Sequence, residues 1–205
     1  MTPFSDPKPL APYPEAGHPT GLRHDYRDLI RIFNGLFQKK YHTILQRGGD
    51  EPRYLPKSPG HPHHRIIFAH GYFASALHEI AHWCIAGRAR RQRDDYGYWY
   101  EPDGRSEKQQ KEFERVEVKP QALEWLFSVC CGSLFRFSTD NLQGQSGDLT
   151  AFKHNVRCQV MHYLRVGPPG RARRFMAALS RFYNTDCGPH SRNFLLEPET
   201  LRPVR

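Results

Sequence analysis

The chain has 205 residues, which is enough for one ordinary domain and too few for two large hydrophobic cores. Thirty Lys and Arg against 21 Asp and Glu give a formal net charge of +9, which predicts an acidic partner but does not identify it. Thirteen Phe and ten Tyr exclude a wholly disordered chain, and no apolar run approaches the roughly 18 residues that a membrane span needs.

In the N-terminal half, the sequence predicts a leader, a first helix, a buried strand and a second helix, in that order. Residues 1–20 contain six Pro, which predicts a disordered leader, and residues 21–205 are expected to form a single domain. Hydrophobic periodicity and turn residues then predict the following elements in order: a helix from Asp25 to about Lys40, an irregular loop over 41–64 with one short strand at Thr43 to Leu45, a buried strand at Arg65 to Ala69, and a helix from Tyr72 to about Arg90.

The C-terminal half predicts four more helices. They are expected from Ser106 to about Arg115, from Pro120 to Cys131, from Leu149 to Leu164 and from Ala172 to Tyr183, after an aromatic, turn-rich segment at 96–105. The predicted fold class is therefore α+β, a mainly helical single domain with a small sheet.

The strongest chemical motif is His78-Glu79-Ile80-Ala81-His82, an H-E-x-x-H sequence inside the predicted central helix. Residues four apart lie on one face of a helix, so both imidazoles can bind one metal ion. The alternative is that both histidines are ordinary core residues or cover Trp83. We favour a metal site on this helix.

Two imidazoles seldom complete a metal site, and Glu117 is the best candidate for a third ligand. It stands between Val116 and Val118, just before the predicted helix start at Pro120, where a half-buried carboxylate needs a partner. An arginine could be that partner instead, and Glu114 or Glu124 could replace Glu117 as ligand. His70, just before the central helix, is a possible outer-sphere partner or alternative ligand.

Two chemistries fit two histidines and one carboxylate. A zinc hydrolase or peptidase would use Glu79 as the base that takes a proton from metal-bound water. Iron(II) oxygenases use the same ligand types with open coordination positions. The spacing of the motif does not choose between them.

Four segments of the sequence carry a resemblance to a known family. They are the strand Arg65 to Gly71, the helix Ala74 to Gly87 around the motif, the aromatic run Tyr96 to Arg105, and Val116 to Phe127. Together they resemble the elongation factor P hydroxylase family. They occur in the family's order, and the similarity runs from about Tyr26 to Tyr183. The proline-rich leader and the histidine-rich loop at 61–64 depart from the family pattern.

The resemblance implies a catalytic domain that is an iron-dependent monooxygenase, hydroxylating the β-lysyl-modified lysine of elongation factor P with dioxygen. It places Fe²⁺ on His78, His82 and Glu117, with Glu79 orienting His82 or a bound water. Two tyrosines of the aromatic run, Tyr98 and Tyr100, either line a lysine channel or pack in the core.

The resemblance also narrows the expected partner and compartment. Elongation factor P would be an acidic protein substrate, and the basic clusters 88–93 and 171–174 would suit its docking. No nucleic-acid motif accompanies the positive charge, so neither nucleic acid nor a membrane is an expected partner. Five Cys, odd in number and without a C-x-x-C pair, favour the reducing cytoplasm.

Overall fold

A computed structural model describes residues 24–97, 105–138, 149–185 and 189–196 of the chain. The predicted leader, residues 1–20, lies outside this part. Within it, α-helices and one small sheet form the architecture expected for a mainly helical α+β chain. The helices are α1 (Tyr26–Tyr41), α2 (Phe73–Ile85), α3 (Glu107–Cys131), α4 (Leu149–Val166) and α5 (Gly170–Tyr183), and the strands are β1 (Thr43–Arg47), β2 (Arg53–Leu55) and β3 (His64–Phe68).

The sheet has the strand order β1-β3-β2, with β3 in the centre. β1 runs parallel to β3 and pairs Thr43 with His64, whereas β2 runs antiparallel and pairs Tyr54 with Ile66. Along β3, burial alternates, and Ile66 and Phe68 are fully buried. The central strand is therefore fixed in register immediately before the chain enters α2.

The prediction of irregular structure through residue 64 is wrong at β2. This strand has three residues, too few for a period-two pattern to be recognised. A tertiary contact holds it in place: the Tyr54 backbone N–H donates to Oδ1 of Asp95 at 2.7 Å.

A tight turn connects β3 to α2. His70 and Gly71 both have positive φ, at 50° and 86°. A Cβ at position 71 would lie 2.9 Å from a ring carbon of Tyr26, so glycine is required both for the backbone conformation and for this close approach. Ser75 Oγ accepts from the Ala69 N–H at 3.1 Å and ties the first turn of α2 to the strand.

α2 ends at Ile85, about one turn before the predicted end near Arg90. The basic residues from Arg88 to Arg93, a type favoured at a helix C-terminus, lie beyond this end. The guanidinium of Arg171 in α5 contacts the end of the helix instead. Arg171 Nη2 donates to the backbone oxygens of Trp83, Cys84 and Ala86 at 2.9, 3.1 and 2.6 Å. The carbonyls left free by the end of the helix are satisfied from another element.

α3 corrects a second prediction, because one helix of 25 residues replaces two shorter ones. A capping box of Ser106 and Gln109 starts it, and it continues through Pro120. A proline inside a helix forgoes one backbone hydrogen bond. Residues 120–128 are all buried, and this packing offsets the loss. Glu117 therefore lies in mid-helix and is 1% exposed, not half-buried at the end of an element.

The central helix is enclosed by the other elements. α2 packs against α3, β3, α1 and α5, and its Trp83 is fully buried beside Phe33 and Phe37. None of the described helices is both long and apolar enough to cross a bilayer. The H-E-x-x-H motif thus lies on an enclosed helix that packs against α3.

Candidate metal centre

The two histidines of the motif and Glu117 converge. The Nε2 atoms of His78 and His82 are 3.0 Å apart, as expected for residues one helical turn apart. The Glu117 oxygens lie 3.3 Å from His78 Nε2 and 3.2 Å from His82 Nε2. One donor atom from each residue lies within 4.8 Å of the other two, a spacing at which the three side chains can share one metal ion.

The environment of Glu117 fits a cation. Both its oxygens are buried, and neither accepts a hydrogen bond of good geometry from any residue in the described part of the chain. Burial by itself would raise the pKa of Glu117, but the two imidazoles hold it well below its usual range. An ionised carboxylate buried without hydrogen bonds is costly, and a bound metal ion would satisfy both oxygens.

His78 is oriented by a second carboxylate. Its Nδ1 lies 2.8 Å from Oε2 of Glu124, a hydrogen bond that directs Nε2 towards Glu117 and His82. Burial alone would lower the pKa of His78, but the contacts with Glu117 and Glu124 raise it well above the ordinary value. A metal ion therefore has to compete with a proton for this imidazole.

Glu79 and Tyr96 flank the three side chains. Burial raises the pKa of Glu79, and the nearby His82 and His78 offset part of that rise. The ring of Tyr96 stacks on His82 with centroids 6.3 Å apart and planes 12° apart, and on its other neighbour, Tyr54, at 4.2 Å. Tyr96 thereby fixes the plane of the His82 ring.

One wall of a cleft of about 1010 Å³ is formed by His82. We call it the His82 cleft; its lining includes Tyr96, Arg105, Phe113 and Lys119. Arg105 is buried, with its guanidinium 3.9 Å from the ring centre of Phe113 and its Nε donating to Gln110. A long side chain that enters this cleft can reach His82.

The remaining candidate residues are placed elsewhere or lie outside the description. His70 is exposed on the turn before α2, where its ring lies 3.4 Å from Asp50 and beside Tyr72. It is not part of the group formed by the other two histidines and Glu117. Tyr98 and Tyr100 lie outside the described residues.

Sequence reasoning did not find two contributors. Glu124 was considered only as a replacement ligand, although it follows Glu117 by seven residues and so lies on the same helix face, where it can contact the same histidine. No sequence pattern indicates the contact between Tyr96 and His82, because it depends on how the segment after α2 folds back onto that helix.

Comparison with known proteins is consistent with this geometry. The sequence profile of the family described as Elongation factor P hydroxylase matches residues 32–194. The Elongation factor P lysine hydroxylase of Haemophilus influenzae is 51% identical over 165 residues, which cover 80% of this chain and 93% of that protein. The matched region contains α2, α3 and all the residues that converge here. The chain belongs to the elongation factor P hydroxylase family.

Proposed function

We propose that this protein hydroxylates a lysine side chain of elongation factor P as an iron(II)-dependent monooxygenase acting in the cytoplasm, after that lysine has received a β-lysyl group. The observation that carries the proposal is the pair of buried Glu117 oxygens, which accept no hydrogen bond of good geometry from the described residues and face the two motif histidines at 3.2–3.3 Å, in a chain that is 51% identical to a lysine hydroxylase.

His78, His82 and Glu117 would hold the metal ion. Two imidazoles and one carboxylate from one side leave coordination positions open, the ligand pattern of non-haem iron(II) oxygenases. When bound, iron(II) supplies activation of dioxygen for insertion of one oxygen atom into a C–H bond. The other oxygen atom is reduced to water. This reduction consumes two protons from solvent and two electrons, which an external reductant such as ascorbate supplies one at a time.

The protein's own residues would hold and orient these groups. Glu124 fixes the imidazole of His78 through Nδ1, and Tyr96 holds the plane of His82. Glu79 lies partly buried near both histidines, where its carboxyl group would orient a bound water. The His82 cleft would admit the modified lysine, and the stems of Lys119 and Arg105 would keep bulk water from its inner wall.

The test is incubation of purified protein with β-lysylated elongation factor P, iron(II), dioxygen and ascorbate, followed by intact-mass and fragment-mass analysis. We expect a gain of one oxygen atom on the modified lysine. Labelling with ¹⁸O₂ should place the heavy isotope in the product, because a monooxygenase takes its oxygen from dioxygen and not from water.

Parallel reactions with zinc(II) in place of iron(II), and with Glu117→Gln, serve as controls and should give no product. Unlabelled oxygen in the product, or equal turnover with zinc, would reject the monooxygenase. Cleavage of the polypeptide in the zinc reaction would instead support the hydrolase chemistry that an H-E-x-x-H motif also permits.

A further inference from the structure

A second cleft, of about 800 Å³, lies at the C-terminal end of α2. Five arginines contribute to its lining, and no Asp or Glu is among the residues that line it. We call it the arginine cleft and define it by these residues: Arg88, Arg91, Arg171, Arg173 and Arg174. The two basic clusters of the sequence, far apart in the chain, thus form one concave surface of a single sign.

Two of the five arginines are held in place by the fold. Arg171 donates to three backbone oxygens at the end of α2 and lies 4.7 Å over the ring of Trp83. Arg91 donates to the oxygen of Ala86. Neutral carbonyls do not cancel a guanidinium charge, so both positive charges remain at the base of the cleft. Burial, and then the neighbouring Arg91, lower the pKa of Arg171, as crowded cations do.

The other three arginines are exposed and available. Arg88, Arg173 and Arg174 make no ion pair and no side-chain hydrogen bond with any residue that the structure describes. The first turn of α5 carries no acidic residue that could neutralise them. Their guanidinium groups are therefore free to bind planar anions such as carboxylates.

The arginine cleft adjoins the His82 cleft. Both are lined by Ile85, the last residue of α2, and by the three residues after it, Ala86, Gly87 and Arg88. His82 lies about one turn before this end in the same helix. A protein whose lysine enters the His82 cleft would thus place its neighbouring surface against the five arginines. The volume of the arginine cleft exceeds that of a single carboxylate and fits a short segment of chain.

We infer that the arginine cleft docks an acidic segment of the protein substrate, so that Arg88, Arg173 and Arg174 bind its carboxylates while the lysine enters the His82 cleft. This inference rests on the proposed function for the identity of the substrate. The cleft presents no open platform for base stacking, because its aromatic residue, Tyr41, packs against Trp83 and Arg171. An acidic protein is therefore favoured over a nucleic acid.

The test compares two double charge reversals of equal charge change. R173E/R174E alters the arginine cleft, whereas R53E/K57E alters exposed residues on and after β2 that line neither cleft. Binding to elongation factor P is measured by calorimetry without metal, and KM and kcat are measured with iron(II) and ascorbate. Circular dichroism and thermal unfolding verify that both variants fold.

We expect R173E/R174E to raise Kd and KM about tenfold and to change kcat by less than about twofold, because the charges guide and hold the substrate without touching the reacting atoms. R53E/K57E should change Kd by less than about twofold. The difference between wild type and R173E/R174E should shrink at 0.5 M salt, where the Debye length falls to roughly 4 Å.

Equal Kd values for wild type and R173E/R174E, or equal losses in both variants, would overturn the docking role. A loss of RNA-oligonucleotide binding in R173E/R174E with unchanged affinity for elongation factor P would overturn it as well. Because binding is measured without metal, a cleft-dependent Kd without oxygen transfer would support docking and reject the proposed hydroxylation. Oxygen transfer by the wild type with the same Kd in R173E/R174E would support the hydroxylation and reject docking in the arginine cleft.

Discussion

The fold buries the carboxylate of Glu117, and this burial is unfavourable in free energy. Burying an ionised carboxylate without hydrogen bonds costs several kcal/mol unless a cation compensates, and here two imidazoles provide the nearest charge. Glu124, two turns later in α3, contacts the opposite nitrogen of the same histidine. The two carboxylates therefore contact different nitrogens: Glu117 faces the Nε2 atoms of both histidines, and Glu124 contacts Nδ1 of His78.

Matched glutamine substitutions on α3 separate these roles. Glu117→Gln should abolish iron retention through gel filtration, because the neutral amide lacks the negative charge that complements an Fe²⁺ ion bound by two neutral imidazoles. Glu124→Gln should retain iron with roughly 10- to 100-fold weaker affinity, the usual effect of losing an outer-sphere partner. The measurement is metal content and calorimetric Kd under anaerobic conditions.

The control for both is Glu114→Gln on the same helix, whose carboxylate accepts from Gln110 Nε2 at 3.0 Å and takes no part in the metal group. Its iron affinity should equal that of wild type. Loss of iron from Glu124→Gln together with retention by Glu117→Gln would identify Glu124 as the third ligand.

The sequence predicts some of this site and not the rest, for physical reasons. The convergence of His78 and His82 follows from helical periodicity alone. The approach of Glu117 to these histidines does not follow from the sequence in the same way, because it depends on the tertiary packing of α3 against α2, for which no local sequence pattern exists. Tyr98 and Tyr100 stay untested, and so does the role of Glu79, since position alone does not establish chemistry.

At the scale of elements, local rules failed where distant residues intervene. Pro120 predicts a helix boundary, but the buried second half of α3 outweighs one missing hydrogen bond. Basic residues after Ile85 predict a longer α2. In the structure, Arg171 of α5 places the positive charge at the C-terminal end of α2, where it donates to a backbone oxygen. The order of elements was predictable from periodicity, whereas these two boundaries depend on packing.

We therefore expect Arg171 to stabilise the folded state in addition to contributing positive charge to the arginine cleft. Arg171→Met keeps the apolar contact with Trp83 but removes the donors to three carbonyls at the end of α2. Hydrogen bonds to charged groups contribute roughly 1.5–3 kcal/mol each, and neighbouring bonds do not add, so we expect a loss of about 2–4 kcal/mol in the free energy of unfolding. Urea denaturation measures it.

Arg173→Met is the matched control two residues away, because the Arg173 side chain is exposed and makes no hydrogen bond with the described residues. Its free energy of unfolding should stay within about 0.5 kcal/mol of wild type. If both substitutions cost the same, the contacts of Arg171 with α2 do not stabilise the helix end.

At the scale of the molecule, a metal ion on His78, His82 and Glu117 would connect α2 to α3, the two helices that form the centre of the core. Any ligand that binds only the folded state stabilises it by mass action, by about 2.7 kcal/mol at a hundredfold excess over Kd. For a chain of this size, that corresponds to a rise in Tm of roughly 5–10 °C. Anaerobic thermal unfolding with and without iron(II) measures this rise.

The rise in Tm should grow from pH 6 to pH 8, because iron and a proton compete for Nε2 of His78. The raised pKa of His78 in the metal-free protein means that its ion pairs stabilise the fold below the ordinary histidine pKa, and that this stabilisation is lost as the pH rises towards and through the raised value. Because the competing proton is held less strongly as the pH rises, iron binds more tightly at pH 8 than at pH 6. Glu117→Gln should show no rise in Tm at either pH, whereas an equal rise in this variant would place the bound iron elsewhere.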